Sequence, residues 1–335
     1  MGLRTSTHTE NMCKSKYLFF TIACLLPLFG AACTRVPAQP EFSAPSGTIS
    51  PSRLESHLAA FGQIGPRDPG SEAASIARRY VAEALSEADA ELIRLSDGDR
   101  EHLEARLAGR NSGEVILIVP FPTLGADAWV DDAGTVLGLE LIRTLAGREL
   151  EYSLAVFFAE VQSAERSPTE RIAADSVAGG ALATRDAVAA AGESLIRGLG
   201  PGGKDRLSSA RAVLVLEAQA YQFVRIARDL PSHPVFRALF WETATSLGQS
   251  AMFSRAGAWA SPTGLQTALQ EARLGRILAI VDETTVLTDL SNEGPAPPIA
   301  DPAAAAKRLG PLLEVVSEGI GRLMARFERI DAFSE

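Results

Sequence analysis

The sequence predicts an α/β fold, a three-layer α/β/α sandwich with a mixed, largely parallel central sheet. Four continuous apolar runs, at 114–119, 153–158, 212–217 and 276–281, have the length and composition of buried strands. Segments with helical spacing of apolar residues separate these runs, and alternating strands and helices form a parallel sheet covered on both faces. The chain has 335 residues, 46% of them hydrophobic and 22% charged, which is typical of a globular protein.

Further elements are predicted in chain order around these four strands. Apolar residues at helical spacing over Ser71–Leu85, after Pro69-Gly70, predict the first helix. Two short runs, Leu92–Leu95 and His102–Ala108, predict strands at an antiparallel edge of the sheet. The segment 135–147 predicts a helix between the first two buried strands.

The second half of the chain predicts two long helices. Ala181–Arg197 is rich in alanine and ends before a glycine cluster, so it predicts a helix with a glycine stop. The glycine cluster itself, Gly198–Lys204, predicts a flexible loop. It is not a phosphate-binding loop, because it follows a helix and its lysine precedes neither Ser nor Thr. Ala303–Phe327 predicts a closing amphipathic helix.

The N-terminus predicts export. An apolar run over Tyr17–Ala32 follows Lys14 and Lys16 and is too short to span a membrane, which indicates a signal peptide. The end of this run, Ala31-Ala32-Cys33, resembles the lipobox of bacterial lipoproteins, and that resemblance implies a lipid on Cys33. The alternative is an ordinary secretory signal that is cut near the same place.

These features divide the chain into a signal peptide over 1–32, a Pro/Ser-rich tether over 33–52 and a single domain over 53–335. Met12 is an alternative start, because it opens a more typical signal than Met1 does. Of the three cysteines only Cys33 lies after the signal, so no disulfide within the chain is expected.

The net charge of −9 excludes some partners. Removal of the signal, which carries three basic residues and one acidic residue, makes the mature chain more acidic still. An acidic surface argues against nucleic acid or anionic lipid as a direct partner. The lipid on Cys33 is therefore the expected link to the membrane.

The stretch Gly113–Glu165 carries the strongest indication of function. Its first apolar run ends in Pro120-Phe121-Pro122, a turn reads Asp131-Asp132-Ala133-Gly134, and its second apolar run ends in Glu160-Val161. This order resembles the zinc-dependent aminopeptidases and glutaminyl cyclases. Two further segments, 61–71 (FGQIGPRDPGS) and 104–109 (EARLAG), are similar to that family's segments before its first helix and first buried strand, so the resemblance covers about 54–330.

The resemblance implies a two-zinc site at the carboxyl ends of the parallel strands, and most of its ligands are replaced here. Pro120 stands where the family has its first His, and Val161 stands where it has a ligand Glu. The positions that still carry acids are Asp131 or Asp132 for the bridging Asp, Glu160 for the general base, and Glu217 for a ligand Asp. The family's last His has no equivalent after His233, and Asp282 or Asp289 could take its place.

This set of residues does not predict a zinc site. Proline offers no lone pair to a metal, and zinc prefers imidazole or thiolate ligands. The histidines, at 8, 57, 102 and 233, fall outside the ligand positions and are expected at the surface or in caps. The remaining carboxylates would suit Ca²⁺, Mg²⁺ or Mn²⁺ instead. No cofactor is expected, with another divalent cation as the alternative, and no Gly-x-Ser-x-Gly elbow indicates a serine hydrolase.

The sequence as a whole predicts a bacterial cell-envelope lipoprotein, placed at the outer membrane or periplasmic face, whose aminopeptidase-like domain has lost metal-dependent activity. Such a protein would act by binding a peptide, a glycan or another envelope protein. One alternative is an active metallo-exopeptidase with a carboxylate-rich site. Another is a structural lipoprotein whose cleft is unused.

Overall fold

A computed structural model of the chain describes residues 48–65, 67, 70–98, 100–122, 132–161, 177–220, 224–226, 228–253, 264–282 and 301–333, with the side chains of 177–187 excepted. The chain divides into residues 1–35 and a compact unit over Val36–Glu335, and every described residue belongs to the second. The predicted signal, Cys33, Asp131 and Asp289 lie outside the described residues. None of the described helices combines the length and apolarity that crossing a membrane requires.

The described elements alternate as the sequence predicts. The helices are α1 (Pro51–Ile64), α2 (Glu72–Glu87), α3 (Ala133–Ala146), α4 (Val177–Gly198), α5 (Gly203–Ser209), α6 (Pro234–Ser246), α7 (Gly264–Glu271) and α8 (Pro302–Ala332). The strands are β1 (Glu91–Asp97), β2 (Arg100–Leu107), β3 (Gly109–Pro122), β4 (Leu150–Val161), β5 (Ala212–Glu217) and β6 (Ile277–Val281).

The six strands form one mixed sheet in the order β1-β2-β4-β3-β5-β6. Four neighbours, β4, β3, β5 and β6, are parallel, whereas β2 runs antiparallel to both β1 and β4. This confirms the predicted parallel core with an antiparallel edge. The carboxyl ends of the four parallel strands lie at one edge of the sheet, which places Pro120, Glu160, Val161 and Glu217 along it.

Helices cover both faces, which confirms the three-layer prediction. One apolar cluster packs α1, α2, α3, α6 and α8 on one face of the sheet, and the other packs α4, α5 and α7 on the opposite face. Alternate residues of β3 pack in the two clusters: Val115 and Val119 in the first, and Ile116 and Ile118 in the second. Because both faces are covered, the strands read as continuous apolar runs.

Two predicted loops end two residues earlier than expected. Helix α1 begins at Pro51, inside the predicted tether, because Ser50 caps it and accepts from the Arg53 N–H, and proline suits the first helical turn. Helix α5 begins at Gly203, inside the predicted flexible loop, and buries Leu207 against the second apolar cluster.

Candidate functional site

Asp132, the first of the retained acids, lies at the N-terminus of α3 and is fully buried. Arg67 Nη2 donates to both of its carboxylate oxygens, at 2.7 and 2.8 Å. Neither side chain is exposed to solvent, and the Arg67 guanidinium also lies 5.2 Å from the centre of the Phe61 ring. The negative charge of Asp132 is thus neutralised by a cation that the chain supplies.

Glu160, predicted in the position of the general base, is also fully buried. Its Oε1 accepts from Arg78 Nη1 at 2.8 Å, and its Oε2 accepts from the backbone N–H of Glu101 at 2.6 Å. Arg78 comes from α2 and Glu101 from β2, so the carboxylate ties the end of β4 to two neighbouring elements. Both carboxylate oxygens of Glu160 therefore already accept from protein donors.

Glu217, at the end of β5, faces the N-terminus of α7. Its Oε1 accepts from the Leu265 N–H at 2.7 Å, and the positive end of the helix favours a carboxylate there. The carboxylate also lies against Gly264, whose φ is +49°. A Cβ on Gly264 would come within 2.2 Å of Glu217 Oε2, so this close approach requires glycine.

The two positions at which the resemblance predicts replaced ligands make structural contacts. The Pro120 carbonyl accepts from Thr135 Oγ1 at 2.9 Å, which links β3 to α3. The Val161 side chain is 1% exposed and packs in the second apolar cluster. Asp282, one of the two substitutes considered for the last His, is buried, and its Oδ1 accepts from the Arg225 N–H at 3.2 Å.

A metal ion does not fit the described part of this edge. Within the described residues no group of three or more His, Cys, Asp or Glu side chains is arranged to hold one. Asp132, Glu160 and Glu217 are on different strands or helices, and each already has a protein donor. Pro120 and Val161 supply no ligand atom. Replacing these contacts with a metal would leave Arg67 as a buried cation without its carboxylate, which is energetically costly.

Two histidines are buried, contrary to the expectation of surface or capping positions. His57 is 6% exposed, and its Nδ1 lies 2.8 Å from the Tyr80 hydroxyl. Burial lowers its pKa from 6.5 to about 4, so the ring is neutral at pH 7. His233 does lie at the N-cap position of α6, where burial and Arg276 lower its pKa.

The second buried histidine belongs to a Ser–His–Asp group that sequence reasoning missed. His102 Nε2 lies 3.1 Å from Ser194 Oγ, and that hydroxyl donates to Asp97 Oδ2 at 2.8 Å. The three residues come from β2, α4 and β1, and no local sequence pattern links them. A group of this composition can be catalytic only if the histidine accepts the serine proton.

The hydrogen bonds run the wrong way for that role. The Glu160 N–H donates to His102 Nδ1 at 2.9 Å, so the neutral ring carries its hydrogen on Nε2 and donates to Ser194 Oγ. The hydroxyl then donates to Asp97 and not to the ring. Burial, followed by the charge of Arg100, lowers the pKa of His102 to about 4. This group therefore stabilises the junction of β1, β2 and α4 and is not a nucleophile with its base.

Comparisons with known proteins agree with the fold. The sequence matches no protein-family model and no curated protein. Among solved structures, the fold is similar to glutaminyl cyclase from Porphyromonas gingivalis, with a TM-score of 0.60 and 14% identity over 83% of this chain and 98% of that one. A glutaminyl cyclase from an Acidobacteriales bacterium has a TM-score of 0.59 and 17% identity over 87% of this chain and 99% of that one. A Zn-dependent exopeptidase from Parabacteroides distasonis has a TM-score of 0.57 and 16% identity over 85% of this chain and 99% of that one.

These similarities extend over nearly the full length of the matched structures, so the chain has the α/β fold of glutaminyl cyclases and zinc exopeptidases. The low identities describe a divergent sequence on that fold. They do not carry the activity of those proteins to this chain.

Proposed function

We propose that this chain is an exported, lipid-anchored envelope protein whose peptidase-like domain acts by binding and not by metal-dependent hydrolysis. The observation that carries the proposal is the pairing of Glu160, whose two oxygens accept from Arg78 and from the Glu101 N–H. General-base catalysis needs a carboxylate within reach of the proton it removes and, in a metallopeptidase, a metal-bound water. Pro120 and Val161 remove two of the side chains that would hold such a metal.

The ligand that this proposal implies is a peptide or another envelope protein. The acidic chain disfavours nucleic acid and anionic lipid, so the membrane contact would come from the lipid on Cys33. Placement in the bacterial envelope, at the outer membrane or periplasmic face, follows from the signal and is part of the proposal.

The loss of activity is tested by elemental analysis of the purified chain together with assays of aminoacyl-coumarin hydrolysis and of N-terminal glutamine cyclisation. Each assay is run with added Zn²⁺, Mn²⁺ or Ca²⁺. We expect neither stoichiometric metal nor turnover. Turnover that is lost in Glu160→Gln but kept in Glu151→Gln, a control on the same strand, would establish instead an active metallo-exopeptidase with altered ligands.

The anchor is tested by growth with labelled palmitate. The wild-type chain is expected to incorporate label and Cys33→Ala to lose it. Cys24→Ala, which changes a cysteine inside the predicted signal, is the matched control and should remain labelled. An unlabelled wild type that is still exported would identify an ordinary secretory signal and refute the lipid anchor.

A further inference from the structure

A groove on the surface of α8 lies away from the sheet edge described above. It has a volume of about 620 Å³ and is lined by Ile49 and Leu247 and by one face of α8. Arg148, between the end of α3 and the start of β4, also lines it. Because β4 starts there, the groove lies towards the amino ends of the parallel strands, whereas the retained acids lie at their carboxyl ends. Its volume is in the range of small-ligand sites.

The centre of the groove is open because the α8 residue there, Gly310, has no side chain. Gly310 lies on the groove face, and a Cβ placed on it would meet no atom within 4 Å. Pro311 follows, inside the helix, and has no N–H to give to the Lys307 carbonyl four residues earlier. The middle of the groove is therefore a short backbone surface with one carbonyl that lacks its regular helical donor.

Opposite charges lie on either side of this surface. Lys307 and Glu314 both line the groove and are exposed, and neither makes an ion pair with any residue the structure describes. Seven residues separate them, which is two helical turns, so both lie on one face about 10 Å apart. Ser317, further along the same face, is 2% exposed, and its Oγ has no hydrogen-bond partner within the described chain.

We propose that the α8 groove binds a short peptide with free termini. An extended chain spans about 3.3–3.6 Å per residue, so three residues match the spacing of Lys307 and Glu314. The peptide carboxylate would lie at Lys307, and its ammonium group at Glu314. This groove is distinct from the sheet edge, and the proposal stands whether or not that edge is catalytic.

The charge complementarity determines the direction in which the peptide lies in the groove more than it determines the affinity. An exposed ion pair contributes about 0.2–1 kcal/mol, which is roughly a 1.4- to 5-fold change in the dissociation constant. The apolar walls and the backbone surface at Gly310 must supply the rest. Blocking the groove is therefore expected to have a larger effect than changing one charge.

The proposal is tested by titrating the full chain with trialanine, followed by NMR or calorimetry, and with N-acetyl-trialanine amide, which lacks both charges. Trialanine should bind, and the blocked peptide should bind about two- to thirtyfold more weakly, because it lacks both charge pairs. Gly310→Phe should abolish binding by filling the groove. Gly321→Phe is the matched control, because Gly321 lies on the same helix and also has no atom near its Cβ position, yet does not line the groove.

Charge reversal provides a second test that does not depend on the groove-filling variant folding. Lys307→Glu and Glu314→Lys should each weaken trialanine binding about two- to thirtyfold, because both positions are exposed and each reversal replaces one attraction with one repulsion. The double reversal should restore the affinity, since the peptide can bind in the opposite direction. Lys204→Glu, at an exposed site on α5, is the control for net charge.

Three results would overturn the proposal. The first is the absence of trialanine binding, or binding that Gly310→Phe and the charge reversals leave unchanged. The second is tighter binding of a synthetic peptide of residues 36–47 than of trialanine, which would make the chain's own preceding segment the occupant. The third is equal binding of the blocked peptide, which would exclude recognition of the termini.

Discussion

The sheet edge and the α8 groove differ in how their charges are satisfied. At the edge, the three retained acids that the structure describes, Asp132, Glu160 and Glu217, each accept from a protein donor at 2.6–2.8 Å. In the groove, Lys307 and Glu314 are exposed and have no ion-pair partner within the described chain. A carboxylate that is already neutralised and buried has little to offer a ligand. The described acids at the sheet edge are thus satisfied by the protein itself, whereas the groove retains unmatched charge.

The largest expected effect tests the satisfied edge. Arg67→Ala would remove the cation that pairs with the buried Asp132 carboxylate and should lower the free energy of unfolding by about 3–5 kcal/mol. Urea unfolding measures this. Arg322→Ala removes a pair in which both side chains are about 40% exposed, and it should cost no more than about 1 kcal/mol. Similar losses in the two variants would mean that Arg67 does not hold Asp132 as described.

The pH dependence of stability tests the two buried histidines, of which His102 accepts from the Glu160 N–H at the same edge. The folded pKa values of His57 and His102 are lowered from 6.5 to about 4, so the unfolded chain binds protons that the folded chain does not. Stability is therefore fully present above pH 6.5 and is lost as the pH falls towards 4, by about 3 kcal/mol for each histidine.

Urea unfolding between pH 7 and pH 4 checks this, with His57→Gln and His102→Gln as variants. Each substitution should flatten the slope over that window. His233→Gln is the control, since His233 is only half-buried and should change the slope less. A slope that neither buried-histidine variant alters would show that folding does not lower the pKa of these rings.

A smaller effect tests the contact between Glu217 and α7. Gly264→Ala places a Cβ against the carboxylate at a φ of +49° and should cost about 1–3 kcal/mol. Gly275→Ala, where a Cβ would meet nothing within 4 Å, is the control. Adding Glu217→Ala should recover part of the loss by removing the overlap but not the backbone strain. If Glu217→Ala recovers none of the lost stability, the whole cost of Gly264→Ala comes from backbone strain.

Much of the fold could be predicted from the sequence because its strands are buried on both faces. The run AVLVLE coincides with β5, and the runs at 114–119 and 153–158 lie inside β3 and β4. Helix α1 was missed because the proline-rich segment before it resembles a linker. Ser50 followed by Pro51 is nevertheless also a helix-start pattern. Sequence spacing shows where elements begin, but composition alone does not separate a tether from a capped helix.

The site could be predicted only in part. The order of the elements placed Glu160 and Glu217 at the carboxyl edge, because parallel strands share that edge. It could not show that Arg78 or the Leu265 N–H would occupy those carboxylates, since these partners are 82 and 48 residues away. The Ser194–His102 contact joins residues 92 apart and likewise has no local signal. Long-range pairing decides here whether an acid is reactive or structural.

The most direct test of the central claim measures the melting temperature. The purified chain is first treated exhaustively with a chelator and is then titrated with Zn²⁺ or with Mn²⁺. The account predicts that chelation leaves the melting temperature unchanged and that neither metal raises it in a stoichiometric manner. A rise that saturates at one or two metal ions per chain, and that is lost in Asp132→Asn or Glu217→Gln, would contradict it. That result would show that these acids hold a metal and are not satisfied by the protein alone.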